Sequence, residues 1–145
     1  MQDERVRDWM TSDVVLISPE QTLPEAHELM KGHKIRRLPV VEDGQLVGIL
    51  TLGDIREASP SDATSLSVFE MNYLLGRLPV NKIMTRDPLT VHPATGIIEA
   101  AKLMLHHKIG GLPVVEGDEV VGIITESDIF RAYVRLAEAD TTETV

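Results

Sequence analysis

Two short stretches place a hydroxyl and a carboxylate at the same spacing: Thr51-Leu52-Gly53-Asp54 and Thr125-Glu126-Ser127-Asp128. Each follows a strand-like run, VGIL or VGII, and each should open a helix. A threonine hydroxyl, the free amides of a helix start and one carboxylate suit a nucleotide. The hydroxyl and amides can face phosphate, while the carboxylate accepts from both ribose hydroxyls. The same residues also suit a plain cap, with threonine at the N-cap and aspartate in the first turn against the positive helix end. Recurrence of the pattern, at matched distance from an LPVV strand, favours the ligand.

Cations cluster nearby. Lys31, Lys34, Arg36 and Arg37, four of the fourteen basic residues, fall within seven positions of a chain whose net charge is −9. Arg36 and Arg37 enter the strand Leu38-Pro39-Val40-Val41, where a guanidinium can give fixed, bidentate hydrogen bonds to a phosphate. Lys31 and Lys34 fit a helix end, where they complement the dipole. Gly110-Gly111 stand in the second copy where Arg36-Arg37 stand in the first. The Asp54 half is therefore expected to hold a phosphate more tightly, unless Arg36 reaches across to the Asp128 half. The glycines either let backbone pack closely or clear room for a base.

These residues are positioned by a duplication. Residues 6 to 55 align with 80 to 129 at a constant offset of 74 without a gap, and 23 of the 50 pairs are identical. Met10-Thr11 matches Met84-Thr85, His33-Lys34-Ile35 matches His107-Lys108-Ile109, and LPVVE at 38 to 42 matches LPVVE at 112 to 116. Within a copy, Val14 to Ile17 reads as a short buried strand stopped at Pro19. Thr22 with Glu25 makes a capping box for a helix with Leu23, Ala26 and Met30 on one face, running to about Gly32. Asp43-Gly44 is a hairpin turn between Leu38–Glu42 and Gln45–Thr51, Gly117-Asp118 serves in the second copy, and a helix follows Thr51. The fold class is α+β: two tandem βαββα repeats related by a pseudo-twofold, with a ligand expected in the clefts at the seam.

The expected layout is a first repeat over 1–58, a connection with a helix over 59–79, a second repeat over 80–137 and a tail over 138–145. In the connection, Ser67 with Glu70 forms a capping box, Leu66 with Met71 a staple, and Gly76 with Pro79 a stop. Val68, Phe69, Met71, Tyr73, Leu74 and Leu75 surround that helix, so it should be buried on more than one side, by the two copies or by a second chain.

Composition closes off other classes. With 43% hydrophobic residues the chain can fold, and with 23 acidic against 14 basic residues it is poorly suited to a nucleic-acid backbone or an anionic membrane. The absence of cysteine removes disulfides and thiol chemistry. No apolar run reaches the roughly 20 residues of a membrane span, and the N-terminus lacks the apolar core of a secretory signal, so a cytoplasmic protein is expected. His33, His106 and His107 lack a spaced ligand set, so no metal is expected. No nucleophile elbow, P-loop or acid–base pair points to an enzyme. Aromatic content of 3% leaves few platforms for stacking single strands.

HKIRRLPVVE and HKIGGLPVVE, each followed by G-I-x-T-x-x-D and preceded by Met-Thr, resemble a tandem pair of CBS domains, the Bateman module, over about residues 5 to 135. The chain is similar to the CBS part of acetoin-utilisation proteins. The resemblance implies binding of AMP, ADP, ATP or S-adenosylmethionine without catalysis, in a homodimer that regulates another protein. It implies that Asp54 and Thr51 hold one ribose, with Ile49, Asp87, Leu89, Ile109 and Gly110 around the base. Asp128 and Thr125 correspondingly hold the other, with Asp13, Val15, Ile35 and Ile123. The alternative is a scaffold whose clefts are vestigial and whose fold serves dimerisation.

Overall fold

The protein is described by a computed structural model that covers residues 3–59 and 76–143, with side chains through residue 139. The expected helix around Ser67 to Leu75 lies outside the described residues. Element order is α1 (Val6–Trp9), α2 (Leu23–His33), β1 (Arg37–Glu42), β2 (Gln45–Thr51), α3 (Leu52–Ala58), a 3₁₀ turn (Val80–Lys82), β3 (Thr85–Arg86), α4 (Ile97–His107), β4 (Gly111–Glu116), β5 (Glu119–Thr125) and α5 (Glu126–Glu143). The fold is α+β, with two antiparallel sheets, β1-β2-β3 and β4-β5.

Two compact units emerge, and their cuts differ from the repeat boundaries. One unit holds residues 1–14 and 89–145, the other 15–88. The leading segment of each repeat thus packs with the body of the other. In the 15–88 unit, β3 pairs with β2 through Gly48↔Arg86 and Ile49↔Thr85, and the Val80 amide donates to the Gln21 carbonyl at 2.7 Å. In the other unit, Thr11 and Ile123 exchange two backbone bonds of 2.9 Å, and the Val6 amide donates to the Thr95 carbonyl at 2.8 Å. Val6 and Val80 are both fully buried.

Each unit has its own core. Leu23, Ala26, Met30, Leu38, Val40, Leu50 and Val80 form one; Val6, Ile97, Ala100, Met104, Leu112, Val114 and Ile124 form the other. The buried positions of α2 recur every three or four residues, so a single stripe of the helix meets its sheet.

The expected first strand is reduced to one parallel bridge per copy, Ile17↔Val40 and Val91↔Val114. The prolines account for this. Ile17 donates to the Pro39 carbonyl and accepts from Val41. The next pairing toward the N-terminus needs an amide from residue 39, and the next toward the C-terminus needs one from residue 19; both are proline, so the ladder stops at one rung. Pro93 and Pro113 set the same limit on Val91.

The hairpin of the first copy forms as the turn chemistry dictates, with Asp43 and Gly44 both at positive φ, 52° and 78°. In the second copy Gly117 takes the positive φ. α2 begins with the anticipated capping box between Thr22 and Glu25 and ends on Lys34, which takes the left-handed conformation. Gln21, then the hydroxyl and amide of Thr22, hold the Glu25 carboxyl below its ordinary pKa. A depressed folded pKa means stability present above the unfolded value and lost as pH falls through the folded one. Thr22→Ala is expected to cost about 1 kcal/mol in urea titrations at neutral pH. The difference from wild type should shrink in acid. A gap that stays constant as pH falls through the carboxylate range would show that the Glu25 charge plays no part in the cap.

Candidate functional site

The two Thr-x-x-Asp motifs sit where a strand hands over to a helix. β2 ends at Thr51 and α3 begins at Leu52; β5 ends at Thr125 and α5 begins at Glu126. In the first, the Thr51 amide donates to Asp54 Oδ2 at 2.9 Å and the Asp54 amide donates to Thr51 Oγ1 at 3.1 Å, a reciprocal capping box. In the second, the Thr125 amide and hydroxyl both donate to Asp128 Oδ2, at 2.8 and 3.2 Å, and Arg131 is ion-paired with Oδ1. Asp128 is buried, 3% exposed, whereas Asp54 is half-buried. Both aspartates are therefore fixed in direction by their own helix start.

The cap corrects one expectation, that free helix amides would face a phosphate. The Leu52 amide donates to the Arg36 carbonyl at 2.8 Å and the Asp54 amide to Thr51, so two of the first three amides of α3 are taken. The Glu126 amide of α5 donates to the Gly110 carbonyl at 3.1 Å. Part of each helix start is thus already committed to the protein's own backbone and caps, and Asp54 keeps one carboxylate oxygen, Oδ1, outside its cap.

Thr51, Asp54, Ile49, Arg36, Arg37 and Asp87 all belong to the 15–88 unit. Arg37 pairs across the sheet with Thr51, and Arg36 is exposed immediately before it. Ile49 pairs with Thr85, two residues before an exposed Asp87 at φ 48°. Val15 and Ile35 belong to this unit and pack on its core. Thr125, Asp128, Ile123 and Asp13 belong to the other unit, where Ile123 is bonded to Thr11. It also holds Leu89, Ile109 and Gly110. The lysines behave as helix-end charges: Lys31 pairs with Glu28 at 2.9 Å, and Lys34 forms the C-cap.

A cavity of about 270 Å³ in the 15–88 unit is lined by Asp54, Glu57, Ala58, Lys82 and Ile83, setting one ammonium among two carboxylates. A larger, apolar groove of about 490 Å³ lies between α4 and α5, where Ile109, Leu105 and Phe130 contribute; neither aspartate lines it. Glu57, Lys82 and Arg131 were not among the expected site residues. The available signal was a charge reversal, since Glu57 and Arg131 occupy matched positions just beyond the aligned block. Among the described residues no group of three or more His, Asp or Glu side chains could hold a metal ion.

The CBS domain family model matches residues 6–61 and 72–135, nearly the whole chain and both copies of the motif. This chain belongs to the CBS-domain family. It is 35% identical over 124 residues to the CBS domain-containing protein YhcV of Bacillus subtilis, covering 86% of this chain and 81% of that one. It is 39% identical over 128 residues to inosine-5′-monophosphate dehydrogenase of Korarchaeum cryptofilum, covering 88% of this chain but 24% of the enzyme. What is shared with that enzyme is thus its CBS part. Among solved structures, AcuB from Vibrio cholerae superposes with a TM-score of 0.78 at 34% identity, covering 96% of both chains. The CBS domain pair of MJ0100, solved with 5′-methylthioadenosine and S-adenosyl-L-methionine, gives 0.74 at 29%, covering 90% of this chain and 95% of that one. CBSX2, from Arabidopsis thaliana, solved with AMP, gives 0.76 at 28%, covering 92% and 98%. No described helix of this CBS pair is long and apolar enough to cross a membrane.

Proposed function

We propose that this CBS pair is a regulatory module that binds an adenosine ligand, AMP, ADP, ATP or S-adenosylmethionine, and performs no catalysis itself. The observation that carries this reading is the pair of helix starts at which Thr51 with Asp54, and Thr125 with Asp128, hold a carboxylate in a fixed direction. A carboxylate so held can accept from both hydroxyls of a ribose. Two structural neighbours solved with adenosine compounds support the ligand class. Ile49 and Asp87 accompany the first carboxylate, Ile123 and Asp13 the second, and Arg36 and Arg37 supply positive charge for a phosphate. Ligand binding acts by differential affinity for two conformations, and the shift passes to a regulated protein. The reading includes a homodimer in the cytoplasm.

The scaffold reading draws on a specific observation as well: both aspartates already serve as caps, and a cap needs no ligand. The two readings part in a direct experiment. Purified protein is denatured and its released nucleotides identified, and the stripped, refolded chain is titrated calorimetrically with AMP, ATP and S-adenosylmethionine. Heat with at least one of them, lost in the Asp54→Ala, Asp128→Ala double variant, is the expected result. No heat from any of the three leaves the scaffold.

A further inference from the structure

The repeat reverses its charge three residues after each aspartate. Position 57 is glutamate, and its counterpart at the offset of 74 is Arg131. Glu57 lines the cavity that also contains Asp54 and Lys82. Arg131 instead turns back on its own helix and pairs with Asp128 Oδ1. The Asp128 side chain is 4% exposed and that of Arg131 is 64% exposed, so a cation with its arm in solvent seals the outer side of a buried carboxylate. Both Asp128 oxygens are occupied, Oδ2 by Thr125 and Oδ1 by Arg131. Asp54 uses only Oδ2 among the described residues.

We infer that Arg131 is a latch opened by anionic ligands: it withholds Asp128 from neutral nucleosides and leaves it for a phosphate. The inference rests on the reading that Asp128 grips ribose. A neutral diol must displace the guanidinium from Oδ1 and offers it nothing in return. A phosphate offers the same guanidinium a bidentate partner of higher charge. The exposed, flexible arm can then move while the ribose hydroxyls take the vacated oxygen. The latch also returns to the second half the cation that Gly110-Gly111 omit from the strand. At the first half the matched position carries a negative charge, so the two halves select phosphate by different means.

The test isolates the Asp128 half in an Asp54→Ala background and titrates it with AMP and with adenosine, carrying Arg131, Arg131→Lys or Arg131→Ala. Arg131→Ala is expected to lower the preference for AMP over adenosine at least about tenfold, the scale of one charge-assisted hydrogen bond. AMP should weaken while adenosine holds or tightens, and lysine should retain part of the preference through its charge. An unchanged preference in Arg131→Ala, or equal weakening of both ligands, overturns the latch while leaving the ribose reading intact. Adding Asp128→Ala to the Asp54→Ala chain tests that reading separately: AMP binding that survives it removes the ribose role of Asp128 and the latch with it. So does an Asp54→Ala chain that binds neither compound.

Discussion

Asp54→Ala, measured in an Asp128→Ala background so that only the first half can bind, should weaken AMP by a hundredfold or more. The carboxylate would accept from two ribose hydroxyls, and hydrogen bonds to a charged group contribute about 1.5 to 3 kcal/mol each. Two of them amount to about two to four powers of ten in affinity. Removing Asp54 also removes half of the α3 capping box, at about 1 kcal/mol of stability. The binding loss should therefore exceed the folding loss, and urea titration beside calorimetry separates them. Asp54→Glu sharpens the contrast, because glutamate is a standard partner in the third position of a capping box. It should keep the stability and still lose most of the binding, since the carboxylate is carried one methylene past the diol. AMP bound by Asp54→Ala as tightly as by its parent would end the ribose role of Asp54.

Much of this architecture was legible in the chain because the duplication states it twice. The capping box at Thr22 and the turn at Asp43-Gly44 depend on groups within four residues of one another, and local chemistry of that kind survives tertiary context. The Val14 to Ile17 strand did not survive, although the reason was present in the sequence. Prolines at 19 and 39 remove the donors on either side of Ile17, but the effect follows only once Ile17 is known to face Val40. The packing of each leading segment with the other repeat's body is a long-range fact, with Gly48 and Gly122 as its faint local trace. At the candidate site, Thr51, Asp54, Thr125 and Asp128 stood out by recurrence, and the structure places each pair at a helix start. Arg131 did not stand out, because it differs from its counterpart Glu57.

Gly122→Val is expected to destabilise the protein by about 1 to 3 kcal/mol or more, the cost of forcing a larger group into a packed interior. A Cβ at Gly122 would stand 2.6 Å from Met10 Sδ and 3.0 Å from the Thr11 carbonyl oxygen. Gly48 repeats the arrangement, at 2.6 Å from Met84 Sδ and 2.9 Å from the Thr85 carbonyl oxygen. The two contacts differ in how they yield. A thioether at the end of a flexible chain can rotate away, whereas the carbonyl is backbone in a segment held by two bonds between Thr11 and Ile123. Met10→Ala combined with Gly122→Val should therefore recover only part of the loss, less any cost of Met10→Ala alone. Full recovery in urea titration would assign the whole effect to the sulfur. Partial recovery has a further consequence: the displaced Thr11 carries Asp13 with it, so a Gly122→Ala chain that still folds should bind AMP less tightly at its Asp128 half. Unaltered AMP affinity in that variant would separate the Met-Thr segment from the site it was expected to build.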